Sequence, residues 1–463
     1  MTKPENDSAA NETKPDRIKI PQLCGRDWFV DFDEPELTSD AGIAAVAGSG
    51  VGNSLIPALS NCIDDQRVGV IHSIEQLLGQ RVYQIISGAF DANDCNYLRD
   101  DIVFRAAAGR DLDDGPLASQ PTMSRLEGRV RPRELLAMAH AIFDHYLQSF
   151  GSEVPEAVCI DMDPSAHLIY GQQQLGLFNT HVGDHCLMPF YIFDGQSGKI
   201  MTAALRPGKT PTAREILAIL KRLVKRLREA WPQTKIIFRA DGHHTKPAVM
   251  DYMRAEGVEF ITGLPQNQAV EKLFGDAIFQ ARRRYQRLLD ESNGAPGVSV
   301  TMFDSCFYGA GSWSEKERVV ARIKVSSMGV DVRYVVTSFH QAEAKYLYET
   351  VYCGRGEAEL YIKECKLGLG SDTSPCEKAT ANQFRLLLHT AAYAMMHEFR
   401  DKILGATRWA RATFAEIRLR VLKIAGRLEV KKTRICLHLS EALEPVLGGI
   451  WRRAANAFAP APG

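Results

Sequence analysis

Two apolar stretches end in aspartate, and they constrain the fold of this chain more than any other feature. "AVCIDMD" (157–163) closes on Asp161 and Asp163, and "TKIIFRADG" (234–242) reaches Asp241. Short apolar runs bounded by turn signals read as buried strands. Between them, "CLMPFYIFDGQSGKIMTAALRPG" reads as two strands around a DGQSG turn, and "TAREILAILKRLVKRLREAWP" as a long amphipathic helix closed by Pro232. "KPAVMDYMRAEGVEFITGL" adds a helix and another strand. The order β-β-β-α-β-α-β predicts an α/β fold, a mixed sheet flanked by helices. In that order the first and fourth strands are neighbours, which brings Asp163 beside Asp241. Two carboxylates held away from water are costly unless a cation lies between them. Mg²⁺ takes carboxylate oxygens, and two such ions activate water and stabilise an in-line displacement at phosphorus.

A third carboxylate comes from "VYCGRGEAELYIKECKLG" (351–368). Tyr352, Arg355, Glu359 and Lys366 follow at steps of three, four and seven, which return to one face of an α-helix. A solvated face with one Arg355–Glu359 pair accounts for part of this, but such a pair is worth only about 0.3–0.5 kcal/mol. Packed on the sheet, Glu359 would complete a three-carboxylate site. Arg355 and Lys366 would then hold phosphates, and Tyr352 a sugar or a displaced base.

The flanking segments are organised around that core. Residues 1–45 read as a disordered or extended segment, polar and proline-bearing, with no apolar stretch of a secretory signal. Residues 46–150 read as a helical DNA-binding domain. There "LASQPTMSRLE" starts a helix with Ser119 as N-cap and Pro121 in its first turn, and displays Ser119, Gln120, Thr122, Ser124 and Arg125. This suits a helix-turn-helix, and equally a plain bundle corner. Residues 151–400 read as the domain that carries the three carboxylates. It is interrupted over about 265–350 by a β-rich insertion, a basic helix followed by an antiparallel meander ("GVSVTMFDSCFYG", "ERVVARIKVSS", "VDVRYVVTSFH"). Residues 401–463 read as a basic segment, helical or loop-like.

Formal net charge is zero, but it is unevenly spread. Residues 401–463 hold twelve Lys/Arg against five Asp/Glu, and further basic runs lie at 221–228 and 281–287. Basic patches beside an acidic remainder fit a phosphate-binding protein with a carboxylate-lined metal site, and also ordinary solvated helices. No run of about 18 apolar residues predicts a membrane span. Ten cysteines without a CxxC read as reduced thiols of a cytoplasmic protein. His167, His181, His185, His243 and His244 fall near the predicted site. A zinc hydrolase would use such a set, but hydrogen-bonded partners of the acids are the stronger reading.

The chain resembles the DDE transposases of bacterial insertion sequences, which have a ribonuclease-H-like core. Within them it is similar to the group whose third motif is Tyr, two residues, Arg, three residues, Glu, six residues, Lys. "YCGRGEAELYIKECK" matches at Tyr352, Arg355, Glu359 and Lys366, while the "IDMDPSAHLIYGQQQLGLFNTHVGDHCLMPFYIFDG" and "IIFRADG" stretches resemble the two aspartate regions. "LASQPTMSRLE" and "DTSPCEKATANQFRLLLH" are similar to further family stretches, so the resemblance runs from about 50 to 400. It implies that Asp163, Asp241 and Glu359 bind two Mg²⁺ (or Mn²⁺) ions. It implies double-stranded DNA as partner, both terminal inverted repeats and target, handled by a homodimer that hydrolyses the element's ends and joins the 3′-hydroxyls to the target. Two positions depart from the family: Leu360 stands where Asn often follows the glutamate, and Gly242 stands where Ser often follows the second aspartate. Asp163 is preferred to Asp161 because it stands two before Ser165. Glu357 and Glu364 are rivals to Glu359 that lose the four-residue step from Arg355. A nuclease that cuts without joining, and a catalytically decayed DNA-binding protein, remain the alternative readings.

Overall fold

Helices lead into the sheet. The computed structural model describes residues 18–23, 26–31, 34, 36–293 and 295–458. Helix α1 (Ile74–Ser87) starts at a Ser73/Gln76 capping box and stops at Gly88, whose φ of 100° only glycine adopts freely. Helices α2 (Gln120–Arg129) and α3 (Pro132–Gln148) follow, each with proline in its first turn. The connection into α2 spans residues 108–119 and contains one short 3₁₀ turn. It replaces the three- or four-residue turn that a helix-turn-helix requires, so the geometry there is that of a bundle corner.

Strand β1 (Ala157–Pro164) pairs antiparallel with β2 (Phe190–Asp194), which pairs antiparallel with β3 (Ile200–Ala204). After α4 (Ala213–Ala230), β4 (Lys235–Ala240) returns parallel to β1. After α5 (Pro247–Ala255), β5 (Glu259–Leu264) lies parallel to β4. The resulting order β3-β2-β1-β4-β5 is the mixed sheet that the element order predicts, with the ribonuclease-H-like arrangement that the resemblance implies.

Residues 265–350 are not a separate body. Helix α6 (Gly275–Glu291) is followed by the meander β6 (Ser299–Tyr308), β7 (Glu317–Ser326) and β8 (Gly329–Thr337), and β8 pairs antiparallel with β5. One sheet of eight strands results, in the order β6-β7-β8-β5-β4-β1-β2-β3. The β7–β8 hairpin runs past the end of β5: Leu264 pairs with Tyr334, while the hairpin continues to Ser326 and Gly329. Joining the main sheet satisfies backbone groups on the free edge of β5 that an isolated insertion would leave to water.

Beyond the meander, a helical stretch carrying α7 (Gly356–Lys363) leads to α8 (Ala379–Phe399), nearly all of which is buried. Helix α8 packs against α1, α2, α3 and β3. One apolar core therefore unites Leu77 and Met138 of the leading helices with Phe193 of the sheet and Leu387 of α8. Between α2 and α8, Arg385 donates to Glu127 at 3.1 Å, with both side chains buried. The C-terminal segment differs from its helical or loop-like reading. Gly426–Lys431 and Arg434–His438 form a hairpin that also pairs with Leu37–Thr38, before a final helix from Glu444 to Phe458. The alternation of Leu428, Val430, Ile435 and Leu437 around Lys432 and Thr433 is a period-2 signal that its basic composition masks. Ile18–Leu23 and Arg26–Val30 form a further hairpin, so the extended part of the N-terminal reading falls on described strands, while residues 1–17 lie outside the described residues. No helix among the described residues is long and apolar enough to cross a membrane.

The register of the central strands is locked by a buried ion pair. Asp161 of β1 stands directly across from Arg239 of β4. Arg239 Nε donates to Asp161 Oδ1 and Nη2 to Oδ2, both at 2.6 Å, and Nη1 donates to the Val351 carbonyl at 2.7 Å. Both side chains are buried. Gly195 and Gly354 press against the pair so closely that a Cβ at either would overlap it. Arg239→Met should therefore strand a buried carboxylate and cost about 3–5 kcal/mol in urea unfolding. Gly354→Ala should cost about 1–3 kcal/mol by pushing the guanidinium off its partner. A loss under about 1 kcal/mol in Arg239→Met would show that the pair does not hold the strands.

Candidate active site at the ends of the parallel strands

Side chains alternate along β1, so Val158, Ile160 and Met162 enter the apolar layer beneath α4 while Asp161 and Asp163 face the other way. With Asp161 opposite Arg239, the parallel register places Asp163 beside Asp241 where the two strands end. Sequence spacing predicts this pairing, and the fold delivers it. Asp163 is buried, its side chain 7% exposed.

Arg355 lies over Asp163. Its Nη1 donates to both Asp163 oxygens at 3.0 Å, and its Nη2 donates to Glu359 Oε1 at 3.2 Å. One guanidinium thus joins the first aspartate to the glutamate. Burial pushes the Asp163 carboxyl up to about 6, with Arg355 opposing the rise and neighbouring Asp241 adding to it. Asp241 accepts from the His243 backbone N–H at 2.9 Å, from His243 Nδ1 at 2.9 Å and from His244 Nδ1 at 2.7 Å. Its burial works to raise the carboxyl, but the two imidazoles outweigh it and hold Asp241 well below the usual carboxylate range. His244 is fully buried against the rings of Phe190 and Phe238. His243 and His244, which follow Gly242, are therefore hydrogen-bond partners of Asp241.

The stretch 347–368 is not one uninterrupted α-helix. Residues 347–352 form a wider π-turn, Cys353–Arg355 a 3₁₀ turn, Gly356–Lys363 the regular helix α7, and 364–368 a second π-turn. Gly354 and Gly356 bracket the change of winding. The four motif residues are accordingly not a single stripe. Tyr352 sits over the end of β5, its hydroxyl against Gly263, with its ring beside Tyr348. Lys366 donates to the Ala166 carbonyl at 3.0 Å and lies 3.4 Å from Ser165 Oγ, which ties down the chain just after Asp163. Glu359 is 64% exposed and has Arg355 as its ion-pair partner. Of its rivals, Glu364 accepts the Phe414 N–H at 2.8 Å, and Glu357 accepts from the Tyr361 hydroxyl at 3.2 Å.

Among the described residues no three His, Cys, Asp or Glu side chains converge closely enough to hold a metal ion. The donor set of Asp163, Asp241 and Glu359 is nevertheless all hard oxygen, the type that Mg²⁺ and Mn²⁺ take. A guanidinium already stands between Asp163 and Glu359 as a positive charge. The residues fit such ions in kind. The set of histidines does not converge for zinc: buried His167 is engaged by the Tyr191 hydroxyl at 2.9 Å and Ser374 Oγ at 3.2 Å. His181 and His185 are exposed around the short strands Leu177–Asn179 and Asp184–Leu187.

The second predicted cluster lies on α2, apart from this site. Ser124 and Arg125 are exposed, while Ser119, Gln120 and Thr122 are half-buried. Ser119 makes no capping hydrogen bond; its Oγ lies 3.4 Å from Thr122 Oγ1, and Gln120 Nε2 donates to Ser124 Oγ at 2.8 Å. Sequence reasoning missed Arg239. The signal for it was a charged residue inside an apolar strand, two before Asp241, just as Asp161 stands two before Asp163.

No curated protein matches this chain. Among solved structures it is similar to the piggyBac transposase in a cryo-EM structure of the synaptic complex with hairpin DNA. The identity is 10% and the TM-score 0.40, over 84% of this chain and 79% of that one. Residues 21–452 match the family described as transposase DDE domain group 1. With its aspartates at the ends of adjacent parallel strands and a match along most of its length, the chain belongs to the DDE transposase family.

Proposed function

We propose that this family member is the transposase of a bacterial insertion sequence of the Tyr-Arg-Glu-Lys group. In this reading it acts as a homodimer, binds the element's terminal inverted repeats, cleaves DNA by metal-dependent hydrolysis and joins the freed 3′-hydroxyls to target DNA. The observation that carries it is the alignment of Asp163 with Asp241 on parallel β1 and β4, with Glu359 joined to Asp163 through Arg355. Two divalent ions at these three carboxylates would supply water activation and charge neutralisation for an in-line displacement at phosphorus. Asp161 has both oxygens committed to Arg239, which leaves Asp163 as the first ligand. Arg355 and Tyr352 border the carboxylates where the scissile phosphate would lie, and Lys366 steadies the loop after Asp163 while facing the same strand. Ser119, Gln120, Thr122, Ser124 and Arg125 would contact end DNA from α2, with exposed Arg125 on phosphate.

Excision of a marked copy of the element in cells tests this. Glu359→Gln, Asp163→Asn and Asp241→Asn should each reduce excision to background while end DNA is still bound. Excision at the intact level in Glu359→Gln would remove Glu359 from the site and transfer its role to Glu364. In vitro, a gel that resolves nicked from joined DNA separates this enzyme from a nuclease, which would nick in Mg²⁺ and yield no joined product. End binding without excision by the intact chain would mark a decayed copy.

A further inference from the structure

Arg355 sits at a mechanical break. It is the last residue of the 3₁₀ turn between a π-turn and α7, with Gly354 before it and Gly356 after it. Short 3₁₀ stretches and π-bulges within a helix mark hinges and functional sites. Gly354 is demanded by packing against Arg239, but a Cβ at Gly356 would meet nothing within 4 Å. Packing does not demand glycine at 356, whose φ of −57° is ordinary helical backbone. The Arg355 side chain is 21% exposed, so it has an open side toward solvent.

Its present bonds conflict with a metal at the same carboxylates. Arg355 Nη1 lies 3.0 Å from both Asp163 oxygens, so a cation drawing on those oxygens at about 2.0–2.1 Å would share them with the guanidinium, and the two positive charges would repel. A DNA phosphate offers the same fork a bidentate partner of equal kind. We infer that Arg355 couples metal binding to DNA binding: its guanidinium and a divalent cation compete for Asp163 and Glu359, and a DNA phosphate relieves the competition by drawing Arg355 away. This rests on the reading of Asp163, Asp241 and Glu359 as the metal-binding carboxylates. Linkage makes the effect reciprocal, so DNA tightens metal binding by the same factor as metal tightens DNA binding. Ions would then be held firmly only where a substrate strand is present.

The test is Mn²⁺ binding, read by electron paramagnetic resonance of free Mn²⁺ on the full chain. It is run with and without a duplex of the element's end carrying a 3′-dideoxy terminus, which prevents joining. Intact protein, Arg355→Gln, Arg355→Lys and Asp163→Asn are compared. Without DNA, Arg355→Gln should bind Mn²⁺ on the order of tenfold more tightly than the intact chain, with Arg355→Lys in between. DNA should tighten Mn²⁺ binding of the intact chain by a similar factor and leave Arg355→Gln nearly unchanged. Equal or weaker Mn²⁺ binding in both Arg355 variants without DNA would overturn the coupling. So would an equal DNA effect in intact protein and Arg355→Gln. Asp163→Asn separates the two levels: loss of Mn²⁺ binding there, with no change in the Arg355 variants, rejects the coupling alone. Binding by Asp163→Asn at the intact level rejects the carboxylate site itself.

Discussion

The buried pair of Asp161 and Arg239 is the contact on which the candidate active-site end of this molecule depends. It crosses the parallel strands β1 and β4 at one register position, and a slip of one residue would turn every side chain of a strand to the opposite face. Because Arg239 also reaches the Val351 carbonyl, the same guanidinium ties the sheet to the turn that presents Arg355. Two glycines, at 195 and 354, let the β2–β3 turn and the helical stretch close over it. Two charges so far from water are not an efficient source of stability, since their desolvation offsets much of their attraction. Their evident use is positional: they set where Asp163 and Asp241 emerge.

A second theme is charge compensation. Three acids gather at the strand ends, and each has partners from the chain: the Arg239 guanidinium for Asp161, the Arg355 guanidinium for Asp163, and the hydrogen-bonding imidazoles of His243 and His244 for Asp241. Burial raises the proton affinity of a carboxylate, and these partners oppose that rise to different degrees. Arg239 is enclosed and Arg355 is partly open, so the two arginines differ in what can displace them. The enclosed one is part of the scaffold, and the open one is reachable from solvent.

Much of the sheet was legible because its signals are local. The runs at 157–163 and 234–242, the DGQSG turn and the amphipathic helix ending before Pro232 each announce their own structure through periodicity and turn chemistry, and the order of elements constrains the topology. The meander of 299–337 was equally legible as strands, but not its attachment to β5. Pairing between Leu264 and Tyr334 is a contact between distant residues, and alternation in a strand says nothing about which edge it will meet. The C-terminal hairpin was hidden for another reason, since the basic residues between its apolar positions obscured the alternation.

The candidate site divides along the same line. Sequence by itself determined that carboxylates would end two neighbouring strands, that Glu359 would follow Arg355 by one helical turn, and that histidines would flank Asp241. All of these follow from spacing within a single element or from element order. Only the tertiary structure decided that Asp161 is spent on Arg239 while Asp163 stands free of it, that Lys366 braces the chain after Asp163, and that the motif helix changes its winding at Arg355. Asp161 and Asp163 are chemically identical and lie on one face of one strand. What separates them is the residue that the neighbouring strand sets opposite each, and that is fixed by register, burial and competition for partners across the fold rather than by any local preference of the chain.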